Sequence, residues 1–333
     1  MSEGMTPTTV SLVLGSGGAR GYAHIGAIEE LLAQGYDIRS VAGSSMGALV
    51  GGVYAAGKLE VYRDWVKALQ RMDVLRLLDW SFRGGLIKGD RIVDKLKELI
   101  GNVNIEDLPI SYTAVAVDLM AQREVWFSRG SLFDAIRASI AIPTVFRPHH
   151  YQGRTLVDGG LLNPVPITPT LRDLTDCTIA VDVNAPAEPA QGDLTVDTPV
   201  ADASDPTFGN AVLVAGEPPA AETSAPAPAT TSTEEQAPTY RQRIAEFIDG
   251  LKEKRERKAA EGDPGILELF ARSLDAVQET VTRFKLAAQP PDLVIPIPRT
   301  ICAFYEFHRA EELIEFGRLR TRETLRDFRR PQH

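Results

Sequence analysis

At 333 residues the chain holds one large α/β domain or two modest ones, and its apolar and charged fractions of 44% and 24% are ordinary for a globular protein. Two cysteines, Cys177 and Cys302, are too few for a disulfide framework and lack metal-ligand spacing; no calcium-loop pattern appears, and no metal or cofactor is expected. The net charge of −9 sits in one stretch, because Glu188, Asp193, Asp197, Asp202, Asp205, Glu217, Glu222, Glu234 and Glu235 account for all of it. The remainder is formally neutral and carries no basic stripe interleaved with aromatics, so nucleic acid is not an expected partner.

Taken in chain order, residues 10–14 read as a short buried strand that ends on Gly15-Ser16-Gly17-Gly18-Ala19-Arg20-Gly21. A helix follows with Ile25, Ile28, Leu31 and Leu32 on one face, closed by Gly35. Residues 38–42 form a second strand that runs into Gly43-Ser44-Ser45-Met46-Gly47 and a helix of small residues. Strand, tight turn and helix, twice over, is the pattern of a parallel sheet. Helical patterns then cover 60–78 and 90–100, strands 112–117 and 124–128, and a helix 132–139 that stops near Pro143. His149 and His150 fall in a loop, Thr155-Leu156-Val157 leads into Asp158-Gly159-Gly160, and 178–183 is another apolar strand.

Residues 187–238 are rich in Ala, Pro, Ser, Thr and Glu and almost free of aromatics. Such a stretch buries too little apolar surface to offset an ordering cost of roughly 1–2 kcal/mol per residue, so it reads as a disordered insert. A charged helical stretch spans 241–261, and Asp263-Pro264 opens a helix that runs to Ala288. Residues 292–298 form a last strand and 309–330 a final helix with basic residues crowding its end. The expected organisation is a catalytic core over 8–185, the insert over 187–239, and a return over 240–330 that completes the core. With no basic-then-apolar leader and no apolar run near the roughly 20 residues of a membrane span, a cytoplasmic location is expected, with peripheral membrane contact left open.

Three blocks carry chemistry. Gly43-x-Ser45-x-Gly47 places a serine between strand and helix on a turn sharp enough to need small neighbours, with the helix N-terminus behind it offering amide hydrogens. The loop over 15–21 has weak spacing for a dinucleotide fingerprint and lacks the Lys-Ser/Thr pair of a phosphate loop. It fits an oxyanion hole built on Gly17 and Gly18, with Arg20 orienting the loop or meeting an anionic head group; a purely structural glycine turn stays open. Asp158-Gly159-Gly160 alone reads as a turn former before it reads as a functional carboxylate. Five histidines are present, and none of His24, His149, His150, His308 or His333 comes with a supporting motif. A Ser–His–Asp triad therefore has no evident base, and Asp158 is the remaining candidate. The apolar segment 74–82 with Leu86 and Ile87 is either an acyl channel or interfacial lip, or core packing.

In that order the three blocks resemble the signature of the patatin-like phospholipase family. Ala138-Ser139-Ile140-Ala141-Ile142-Pro143 and Asn163-Pro164-Val165-Pro166 add to the likeness. The resemblance covers residues 10–185 and resumes over 290–328. It implies a three-layer α/β/α fold with a mainly parallel central sheet and a serine lipid acyl hydrolase acting by a Ser–Asp dyad. Ser45 would be the nucleophile and Asp158 the proton acceptor. Gly17, Gly18 and Met46 would form the oxyanion hole, supported by Gly15, Arg20, Gly21, Gly43, Gly47, Gly159 and Gly160. A lipid or lysolipid ester is the implied substrate. A soluble carboxylesterase or thioesterase with the same dyad, and a non-catalytic scaffold acting through the acidic segment, are the alternatives.

Overall fold

The computed structural model describes residues 7–77, 87–187 and 266–328. The chain divides into two units, Met1–Ala187 with Tyr240–His333 and Glu188–Thr239, and every described residue belongs to the first. The acidic segment, the charged stretch at 241–261, the cap at Asp263-Pro264 and the apolar residues 78–86 lie outside the described residues.

The elements are β1 (Thr9–Leu14), α1 (Ala23–Ala33), β2 (Asp37–Ser44), α2 (Met46–Ala55), α3 (Leu59–Ala68), α4 (Arg71–Leu77), α5 (Asp90–Ile100), β3 (Ser111–Asp118), β4 (Arg123–Phe127), α6 (Leu132–Ser139), β5 (His149–Tyr151), β6 (Arg154–Asp158), β7 (Cys177–Ala185), α7 (Ile266–Ala288), β8 (Leu293–Pro298) and α8 (Ala310–Phe328). Five strands run parallel in the order β3-β2-β1-β7-β8, and β4, β5 and β6 extend the sheet antiparallel. Alternation along β1 splits the core between two faces. Val10, Leu12 and Leu14 join a large cluster with α1, α2, α6 and α8, while Val13 packs with Val165, Ile167 and Ala180 against Leu286 of α7. Helices thus cover both faces of a mixed, mostly parallel sheet.

Two details differ from the sequence reading. The helix expected over 60–78 is two helices, because Leu69 adopts an extended backbone at ψ 123° and the Asp73 carboxylate accepts the Gln70 N–H at 3.2 Å to open α4. The apolar rhythm runs through the break, so periodicity did not reveal it. The expected loop at His149 and His150 is the short strand β5, held by pairing with β6.

One topological feature builds the site. Ala114 and Val115 of β3 pair with both β2 and β4, and Ala116, Val117 and Asp118 pair with both β4 and β6. A strand has two edges, so β4 occupies one while β2 and β6 share the other, end to end. Ser44 closes β2 opposite Val115, and Asp158 closes β6 opposite Ala116. The C-terminal ends of two oppositely directed strands are therefore brought face to face.

Candidate active site

Ser45 stands where β2 turns into α2, with φ 55° and ψ −123°, a backbone conformation that costs a non-glycine residue on the order of 1–3 kcal/mol. The surroundings compel it. A Cβ on Gly43 would collide with the Gly47 backbone, and one on Gly47 would collide with the Leu14 carbonyl. Only glycine at both positions lets the start of α2 press onto the strand ends. The Ser45 N–H donates to Ser139 Oγ at 2.9 Å, and Ser139 Oγ donates in turn to the Val115 carbonyl at 2.6 Å. Ser139 is fully buried and had no role assigned from sequence, where it was visible only as one letter of a small-residue block.

The Ser45 hydroxyl donates to Asp158 Oδ2 at 2.6 Å, and Asp158 Oδ1 accepts the Gly160 N–H at 2.7 Å. The Asp158 N–H donates to the Ala141 carbonyl just beyond α6, so the same segment braces both partners. Burial pushes the Asp158 carboxyl up to about 7, and the hydrogen bonds from Ser45 and Gly160 pull the other way. An acid with that affinity exchanges its proton near neutrality, as a general base requires.

Beside the pair, the glycine-rich loop is anchored at its flanks. The amides of Gly15, Ser16 and Ala19 donate to the carbonyls of Val181, Pro164 and Phe304, whereas those of Gly17 and Gly18 find no acceptor among the described residues. Gly18 has φ 56°, and a Cβ there would strike the Phe304 carbonyl. Arg20, 2% exposed, reaches the Gly17 carbonyl with Nε and the Arg299 carbonyl and Asp275 with its other nitrogens, including an ion pair at 2.7 Å. Four of its five N–H groups make these bonds, the geometry of a side chain that orients the loop. Gly21 lies against Met46, the first residue of α2, and a Cβ there would collide with it. Gly159 is pressed onto the Val115 carbonyl and Gly160 onto Gln278 and Ser16.

The histidines play other parts. His24 is fully buried, bonds the Gly15 carbonyl at 2.8 Å through Nε2, and is driven by burial down to about 4, so it stays neutral beneath the loop. His149 faces Asp134, His150 faces Thr155 and His308 faces Arg71. None of these four is hydrogen-bonded or ion-paired to Ser45 or Asp158, and His333 is outside the described residues.

Two cavities meet at Ser45. One, about 730 Å³ with its open mouth, is lined by Leu49, Trp65, Leu69, Leu96, Ile140 and Phe146 among other apolar groups. Val74 and Leu77 also line it, so the described part of the apolar segment singled out in the sequence borders the site. The other, about 370 Å³, contains Gly17, Gly18 and Asp158 and is walled by Asp275 and Gln278 of α7. Among the described residues no helix is long and apolar enough to cross a membrane, and no group of three or more His, Cys, Asp or Glu is placed to hold a metal ion.

A family model described as "Patatin-like phospholipase" matches residues 12–171. An uncharacterized NTE family protein of Mycobacterium bovis is 42% identical over 341 aligned residues, spanning 98% of this chain and 94% of that one. A neuropathy target esterase of Drosophila persimilis is 32% identical over 174 residues, 50% of this chain and 12% of that one. Among solved structures, VipD from Legionella pneumophila aligns at a TM-score of 0.35 and 15% identity, covering 53% of this chain and 50% of that one. With the glycine-rich loop, the turn at Ser45 and the aspartate of β6 all inside the matched span, the chain belongs to the patatin-like phospholipase family.

Proposed function

We propose that this protein is a serine acyl hydrolase of lipid carboxylic esters, with Ser45 as nucleophile and Asp158 as its base. The observation that carries the reading is the 2.6 Å hydrogen bond between Ser45 Oγ and a buried carboxylate, made at the junction of two cavities and beside unspent amides. In the first half-reaction Asp158 Oδ2 takes the Ser45 proton as Oγ bonds to the ester carbonyl carbon. The carbonyl oxygen becomes an oxyanion, for which the Gly17 and Gly18 amides and the Met46 amide at the start of α2 are the available donors. The tetrahedral centre then collapses, the bond to the alcohol oxygen breaks, and Asp158 returns the proton to that oxygen. In the second half-reaction Asp158 takes a proton from water, whose oxygen attacks the acyl carbon. Collapse frees the carboxylic acid and restores the proton to Ser45 Oγ.

The large apolar cavity suits a fatty acyl chain, which supports lipid or lysolipid esters over short polar ones. A panel of lysophospholipids, diacyl phospholipids, acylglycerols and short-chain esters tests the reading. Turnover that rises with acyl length and vanishes in Ser45→Ala is expected. Full turnover by that variant refutes the assignment, and a preference for acetyl or thioester substrates favours a soluble esterase.

A further inference from the structure

The second cavity contains a polar group that the mechanism above leaves idle. Gln278 of α7 is 6% exposed and lines the pocket that holds Asp158. Its orientation follows from its neighbours. Asn184 Nδ2 donates to the Ser16 carbonyl at 2.7 Å, an atom that can only accept, so that end of the Asn184 side chain is the nitrogen. The same nitrogen also meets the Gln278 amide, at 3.2 Å, and needs an acceptor there, which makes the facing atom Oε1. Ser16 Oγ donates to that oxygen as well, at 3.2 Å. With Oε1 held by two donors, Nε2 is the outward end. It lies over Gly160, where a Cβ would come within 2.6 Å of it, and Gly160 is the residue whose amide binds Asp158. Among the described residues Nε2 donates to no acceptor.

We propose that Gln278 Nε2 binds an oxygen acceptor on the alcohol portion of the ester, and so selects for substrates whose leaving group carries oxygen close to the scissile bond. The inference rests on the reading of Ser45 and Asp158 as the reacting pair. The apolar cavity takes the acyl chain, which leaves the smaller cavity for the alcohol, on the side of the carboxylate that must protonate it. Arg20 and Asp275 in that cavity neutralise each other, so the remaining recognition is by hydrogen bonding to a hydroxyl or ester oxygen and not by charge. A buried donor fixed at its far end loses little freedom on binding and discriminates well between a partner and its absence.

The test uses two esters with one acyl chain and one carbon count in the alcohol, 1-octanoylglycerol and propyl octanoate. For the full chain, the ratio of kcat/KM for the glycerol ester to that for the propyl ester is expected to fall roughly tenfold in Gln278→Leu, the worth of about one hydrogen bond. Gln278→Glu keeps an acceptor for Ser16 and Asn184 and guards against a folding failure. The same fall in the ratio is expected, together with a pH–rate midpoint moved upward by a carboxylate beside Asp158. A ratio unchanged in both variants overturns the proposal, whether the two rates drop together or not at all. If instead the wild type cleaves neither ester and Ser45 resists a fluorophosphonate, the reading of the reacting pair has failed and this inference falls with it.

Discussion

Ser139 links the turn at Ser45 to the sheet, its Oγ accepting the Ser45 N–H at 2.9 Å while donating to the Val115 carbonyl at 2.6 Å. Val115 is also the register partner of Ser44, so one hydroxyl locks a strained residue onto the strand that aligns β2 with β6. Ser139→Ala leaves a buried N–H and a buried carbonyl unpaired, at a cost of about 1–3 kcal/mol for each orphaned group. A lowered denaturation midpoint and a kcat reduced by ten- to a hundredfold are expected. Unchanged stability and kcat would show that the turn holds without this brace.

The Arg20–Asp275 pair calls for a different experiment. Arg20 uses its planar fork to join the Gly17 carbonyl, the Arg299 carbonyl and Asp275 of α7, and a lysine cannot span three such partners. In Arg20→Lys the loop carrying Gly17 and Gly18 loses its anchor while keeping a positive charge near Asp275. A displacement of even about 1 Å at such donors costs on the order of a hundredfold in rate. Labelling of Ser45 by a fluorophosphonate is expected to slow by at least tenfold, with the fold retained by circular dichroism. Wild-type labelling would separate the loop from the chemistry.

Activity should follow the ionisation of Asp158. The carboxyl, raised by burial to about 7, accepts a proton only when ionised, so kcat/KM is expected to rise with pH and level off above neutrality. A midpoint near 4, the ordinary aspartate range, would contradict the buried-base account.

Stability should move the opposite way. Because the folded-state value lies above the unfolded one, folding favours the protonated carboxyl. Its stabilising contribution is full below about 4 and is lost as pH rises to about 7, with a cost on the order of 4 kcal/mol at higher pH. Asp158→Asn removes that cost. Its melting temperature is expected to match the wild type at pH 4 and to exceed it increasingly up to pH 7, then run parallel. A variant less stable at pH 8 than at pH 4, relative to wild type, would reverse the sign.

Much of this was legible in the residues because the signals are local. Glycines at 43 and 47 announce a turn too tight for side chains, and the alternation of short apolar runs with helical faces announces a parallel sheet. What joins the blocks was not local. Nothing near Asp158 in sequence distinguishes it from a turn former; its meeting with Ser45 follows from β2 and β6 sharing an edge of β3, and from sequence it was suggested only by the want of a supported histidine and by family resemblance. Ser139, Asn184 and Gln278 escaped notice for the same reason, since their partners lie 24 to 262 residues away in the chain. The polar residues Asp275, Gln278 and Thr282, at helical spacing on α7, were the available sign that this helix faces a site and not only a core.

Mapping the adduct left by a fluorophosphonate ester is the most direct measurement. Peptide mass spectrometry of the treated chain is expected to place the phosphonyl group on Ser45, with adduct formation lost in Ser45→Ala and strongly slowed in Asp158→Asn. A modified residue elsewhere, or labelling of Ser45 at the wild-type rate without the Asp158 carboxylate, would contradict the dyad.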